Sequence, residues 1–133
     1  LATNVATQYF ETGDVSFRAT ANVTGKRFVA PSGDVTGGPG LSTDNENMYR
    51  MAHCGAGLKA AGVAKYDVAS GAKGGVHGQP GKIVPVTTGA AVTAGQQVQS
   101  DASGQAIPLA AGIACGLAMS GAGSGADCQV KLF

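Results

Sequence analysis

Two histidines, three cysteines and a scatter of glycine-flanked serines are the residues of this chain whose chemistry is worth testing first. His53 and His77 stand far apart and in no HExxH-like spacing, so they do not set two ligands on one metal ion. Cys54, Cys115 and Cys128 form no CxxC pair, and an odd number cannot all pair within one chain. They read as small, buried, reduced thiols, with a Cys115–Cys128 disulfide across a terminal hairpin as the minority alternative. Asn22-Val23-Thr24 fits a glycosylation sequon that is idle without a secretory route.

The glycine-rich stretches are equally poor in chemistry. Cys54 to Gly62 and Gly121 to Gly125 resemble nucleotide-binding loops, yet neither completes GxGxxG and no βαβ context surrounds them. Gly81-Lys82 lacks the upstream glycine of a phosphate loop, where Val76 stands, and Ile83 replaces the hydroxyl residue that would hold magnesium. Ser124 sits between two glycines with no strand-to-helix elbow, and the carboxylates are single and mostly in turns. The expectation is therefore no catalytic residue, no metal site and no cofactor.

The elements that carry these residues read as short strands. Ile83 to Val98, IVPVTTGAAVTAGQQV, sets β-branched residues between glycine turns, the pattern of half-buried strands on a pleated surface. Val15, Phe17 and Ala19 alternate with polar neighbours, and Lys26 to Ala30 follows after Thr24-Gly25, which suggests a hairpin. Pro31 to Asn47 is Gly, Pro, Ser, Thr, Asp and Asn almost throughout and reads as a long exposed loop, about 31–47. Met48 to Cys54 is read as extended. Gly62 to Asp67 is a strand whose return is Lys73 to His77. Ser100-Asp-Ala-Ser-Gly104 is a tight turn returning into Ala106 to Leu109, and Ile113 to Met119 pairs with Asp127 to Phe133.

Composition sets the limits on partners. The 133 residues read as one β domain, 14–133, behind an N-terminal arm, 1–13. Glycine supplies 22 residues and aromatics 5% of the chain, so the core is thin and a lone monomer marginal, which calls for oligomerisation or a partner surface. Nine basic against eight acidic residues, with only Lys26-Arg27 adjacent, leave no patch for nucleic acid. Leu1 to Phe10 lacks the charged start and apolar run of a signal peptide. Gln105 to Ala126 is uncharged and contains Gly112-Ile-Ala-Cys-Gly116, but Pro108 and the excess of alanine over leucine argue against a membrane span.

Two resemblances arise from these blocks. Val92-Thr-Ala-Gly-Gln-Gln-Val98 has the strand-turn rhythm of biotinyl and lipoyl carrier domains, but the candidate tip, Asp101 to Gly104, lacks the lysine that carries the cofactor. The succession of Gly62 to Gly71, Ile83 to Gly95, Ser100 to Gly104 and Gly125 to Leu132 resembles the capsid decoration, or cement, proteins of tailed bacteriophages. Tyr9 to Val15 and Val23 to Ala30 look like that family's opening.

That resemblance implies a mainly β protein: a small β-barrel or β-tulip-like body with an extended N-terminal arm. It implies a non-enzymatic virion protein, made in the host bacterial cytoplasm, that binds the outer surface of the assembled capsid and stabilises it. The implied partners are the major capsid protein and two further copies of the chain, as a homotrimer at or near threefold positions. Leu1 to Phe10 is read as the capsid-binding segment, adding to a sheet edge with Tyr9 and Phe10 as apolar anchors and Phe17 packing near the arm's root. The alternative reading is a phage fibre, spike or adhesin-type β module that binds carbohydrate or a host surface.

Overall fold

The computed structural model describes residues 14–34 and 48–133. The arm segment with Tyr9 and Phe10, and most of the 31–47 loop, lie outside the described residues. Within them all regular structure is strand: β1 (Val15–Ala19), β2 (Phe28–Gly33), β3 (Tyr49–His53), β4 (Gly62–Ala64), β5 (Lys73–His77), β6 (Ile83–Thr87), β7 (Gln97–Ser100), β8 (Ala106–Pro108), β9 (Gly116–Ala118) and β10 (Asp127–Leu132). The mainly β reading with a barrel body holds.

The first five strands close into a barrel in the order β1-β3-β2-β4-β5. The expected hairpin between β1 and β2 is not formed. β1 instead lies parallel to β3, with Phe17 opposite Tyr49, and antiparallel to β5, with Phe17 opposite Gly74. β2 takes the place between β3 and β4. The expected β4–β5 pair is present, Val63 opposite His77. Strand β2 also runs three residues into the stretch read as loop. Pro31 is tolerated there because pairing to β4 ends at Val29, so the ring's missing N–H faces no ladder on that side.

The last five strands form a sheet in the order β6-β10-β9-β7-β8. Its edge, β6, carries Pro85, which an edge strand accommodates. Just past β6, Thr88 bridges Ala106 in parallel, so the sheet curls until its two edges nearly meet. Both hairpins expected at this end are present, β7 with β8 and β9 with β10. Along β10 Cys128, Val130 and Leu132 point inward and the residues between them outward, as the alternation predicts.

The buried apolar residues fall into two clusters where one core was expected. Phe17, Ala19, Val23, Val29, Met51, Ala64, Val68 and Val76 fill the barrel. The second cluster lies inside the curled sheet, around Val86, Val98, Cys128 and Val130, and takes Phe28, Cys54 and Val63 from the barrel half. Small residues cannot fill one wide space at interior density, so two narrow cores suit this composition. Phe28 joins the two halves: burying a ring of that size contributes about 1.5–3 kcal/mol. Its N–H donates to Gly104 O at 2.7 Å and its carbonyl accepts from Cys54 N–H at 2.9 Å.

Lys26 completes the junction. It adopts φ 60°, its N–H donates to Ala64 O, its carbonyl accepts from Thr87 N–H, and its Nζ reaches Asp127 Oδ2 at 2.8 Å. One residue thus bonds to both halves.

Candidate functional site

Asp14, directly before β1, is the point at which the N-terminal segment meets the described body. Its Oδ2 accepts from Lys82 Nζ at 2.6 Å and lies 3.5 Å from Lys65 Nζ, while Oδ1 accepts from Gly78 N–H at 3.1 Å. Lys82 and Gly78 belong to the connection between β5 and β6, so this carboxylate ties the start of β1 to the link between the halves. The hydrogen-bonded Lys82 ammonium, aided by Gly78 and Lys65 and opposed by burial, holds the Asp14 carboxyl well below the usual carboxylate range. His77 Nδ1 stands 3.8 Å from Asp14 Oδ2, too far for a hydrogen bond. Burial and the neighbouring lysines press His77 toward its neutral form.

Phe17, three residues further on, is fully buried, with its ring in the barrel core against Gly74. It stands near the start of β1, in the barrel core. Tyr9 and Phe10 lie outside the described residues.

Side chains with chemical potential are occupied structurally. His53 accepts the Thr24 N–H at Nε2, 2.9 Å away, and its pKa is lowered mainly by burial. Lys82, next to Gly81, is held by Asp14 and presents nothing for a phosphate. The Asp101–Gly104 turn is packed against Arg27, Phe28 and His53, so it is no free carrier tip. Asp101 Oδ1 accepts from Ser103 and Gln105 N–H groups, the role its place in the turn predicts. Ser124 donates to Gly89 O. Among the described residues no three His, Cys, Asp or Glu side chains group to hold a metal ion, and no helix is long and apolar enough to cross a membrane. A cavity between Phe28, Ala60, Cys115 and Leu132 measures about 10 Å³, room for one water.

The three thiols are free and buried. Cys115 lies beside Phe133, whose N–H bonds its carbonyl, whereas the Cys128 thiol donates to Ser120 O at 2.9 Å. These are opposite ends of the β9–β10 hairpin, which separates the two sulfurs and removes the Cys115–Cys128 pairing. The neighbour of Cys115 is Cys54, a proximity created by the fold and invisible in the spacing.

The surface carries large apolar side chains that no core absorbs. Leu58 and Ile113 are 57% and 52% exposed. They crown two loops joined by the Ile113 N–H to Gly57 O hydrogen bond. Ile83 and Phe133 are exposed near the edge formed by β6 and the end of β10, and Tyr66 on the barrel side. Among the described residues these are the large apolar side chains left in contact with solvent.

The fold is also that of the head fiber gp8.5 N base of bacteriophage phi29, with a TM-score of 0.71 at 22% identity, covering 90% of this chain and 92% of that one. No curated protein matches the sequence significantly. The family model of phage cement proteins matches residues 7–132. With nearly its whole length so matched, the chain belongs to the phage cement protein family and is a structural component of the virion.

Proposed function

We propose that this protein binds the outer surface of the assembled phage capsid, with the major capsid protein as its partner, and stabilises the shell without turning over a substrate. The observation that carries the reading is the cement-family match over residues 7–132. The absence of a catalytic constellation among the described residues is compatible with it. A protein that binds the assembled shell and not its separated subunits stabilises the shell by mass action. Linking copies in a homotrimer at or near threefold positions multiplies weak contacts through effective concentration.

In this reading Leu1 to Phe10 docks by strand addition, Tyr9 and Phe10 fill apolar pockets, and Phe17 with Asp14 fixes the direction in which the arm leaves the body. Co-sedimentation with undecorated, expanded capsids tests it. The intact chain pellets with shells and raises their resistance to heat or denaturant, and a chain lacking Leu1 to Phe10 stays in the supernatant. Equal binding by the truncated chain overturns the arm assignment, and failure of the intact chain to bind overturns decoration.

A second reading, a base for a fibre or adhesin, is favoured by the likeness to the phi29 head fiber base. It is separated from the first by glycan or host-cell binding in the absence of capsids.

A further inference from the structure

Two buried thiols from opposite halves of the molecule converge on one carbonyl. Cys54 follows β3 of the barrel and Cys115 precedes β9 of the curled sheet. The Cys54 thiol donates to Leu58 O at 3.4 Å and the Cys115 thiol to the same oxygen at 3.5 Å, so the sulfurs are no further apart than these two distances combined. Both residues also abut β7: Cys115 N–H donates to Val98 O, and Ser100, two residues on, donates its hydroxyl to Cys54 O. Their exposures are 0% and 4%.

The strap over them, Gly55 to Ala61, lies on the Ala110–Cys115 loop through the Gly57–Ile113 hydrogen bond and a 3.4 Å contact of Lys59 Nζ with Ala114 O. Burial raises the Cys54 thiol against the opposing Ser100 hydrogen bond, which keeps Cys54 in its unreactive protonated form while the strap is closed.

We infer that Cys54 and Cys115 form a latent cross-link site, which closes into an intramolecular disulfide when the protein meets an oxidant. In the step, a thiolate formed at one cysteine attacks a low-molecular-weight disulfide and releases one thiol. The second cysteine then displaces the other half as a second thiol, leaving a Cys54–Cys115 bond with two electrons passed to the small disulfide. The bond closes a loop of about 60 residues and staples the barrel to the sheet. The occasion for it rests on the decoration reading, since a virion surface leaves the reducing cytosol for an oxidising exterior. The bond itself is tested on the free chain and does not depend on capsid binding.

The purified protein is incubated with oxidised glutathione at pH 8, with and without urea below its unfolding midpoint so that the strap opens. The expected result is loss of two hydrogens from the intact mass, a linked peptide joining Cys54 to Cys115, a free Cys128, and a Tm higher by about 10 °C that dithiothreitol reverses. Cys128→Ser leaves all of this unchanged, whereas Cys115→Ser and Cys115→Ala both abolish it. Thiols that remain free in both conditions, stable glutathione adducts, a bond involving Cys128, or a cross-link that leaves Tm unchanged or lowers it would overturn the inference.

Discussion

Phe17 lies against Gly74 across the β1–β5 ladder, so closely that a Cβ at position 74 would stand 2.9 Å from the ring's Cε1 and collide with Val68. The glycine makes room for the ring, and the ring covers backbone that glycine leaves bare. The aromatic residue expected to pack near the arm's root is a centrepiece of the barrel core.

Gly74→Ala is expected to lower stability by about 1–3 kcal/mol through overpacking, and Phe17→Ala by about 3–5 kcal/mol through the cavity it leaves. Urea unfolding midpoints measure both. Phe17→Leu keeps the core largely filled, so it retains capsid co-sedimentation, while the Tyr9→Ala, Phe10→Ala double variant loses it with unchanged stability. Loss of binding in a well-folded Phe17→Leu protein would place the ring in direct capsid contact and contradict its burial.

Stability should fall in acid in a way that Asp14 dominates. Its carboxyl titrates below the ordinary value near 4 when folded, so its contribution is complete above about pH 4 and is lost as pH falls further, where the unfolded chain binds the extra proton. Asp127, lowered by Lys26, acts in the same direction. His77 and His53, both lowered mainly by burial, add an earlier loss that begins near pH 6.5. A quarter of the Asp14 side chain reaches solvent, which screens the pair, so Asp14→Asn is expected to cost about 1 kcal/mol at pH 7 and progressively less as pH falls from about 4 toward 2. Unfolding curves from pH 7 to 2 decide it, and parallel pH profiles of parent and variant would count against the assignment.

Self-association is expected of the free protein. Exposed Leu58, Ile113, Ile83 and Phe133 sit on a body whose two cores are narrow. Light scattering after gel filtration of concentrated protein should give about three times the 13.0 kDa chain mass. A well-folded species of 13.0 kDa at high concentration would remove the trimer.

Local pattern made much of this fold legible. The alternation in Asp127 to Phe133, the Asp101 turn and the β4–β5 pair could be read because each depends on neighbours in sequence. The β1–β3 parallel pair could not, since nothing near Phe17 encodes the choice of Tyr49 over Phe28 as a neighbour. That choice is made by closure of the barrel as a whole. Cys54 and Cys115 were hidden for the same reason, being brought together only when the Gly55–Ala61 strap meets the Ala110–Cys115 loop. The reading of Tyr9 and Phe10 as anchors rests on composition and resemblance alone, since both lie outside the described residues.

The junction between the halves can be probed at Gly104. This residue adopts φ 76°, and a Cβ there would lie 2.5 Å from Phe28 O, a backbone atom with little freedom to retreat. Gly95 provides the control, with φ 91° and nothing within 4 Å of the added carbon. Gly95→Ala therefore bears only the left-handed backbone cost, about 1–2 kcal/mol, while Gly104→Ala adds displacement of the turn from Phe28 and should reach about 3 kcal/mol or more. Because Phe28 contributes its ring to the sheet's core, that displacement should also loosen the coupling of the halves. Probes in the barrel (Tyr49 fluorescence) and in the sheet (Cys128 thiol accessibility) should give coincident urea transitions in the Gly95→Ala protein and separated ones in Gly104→Ala. Equal costs for the two substitutions would mean that the Phe28–Gly104 approach contributes nothing to holding the halves together.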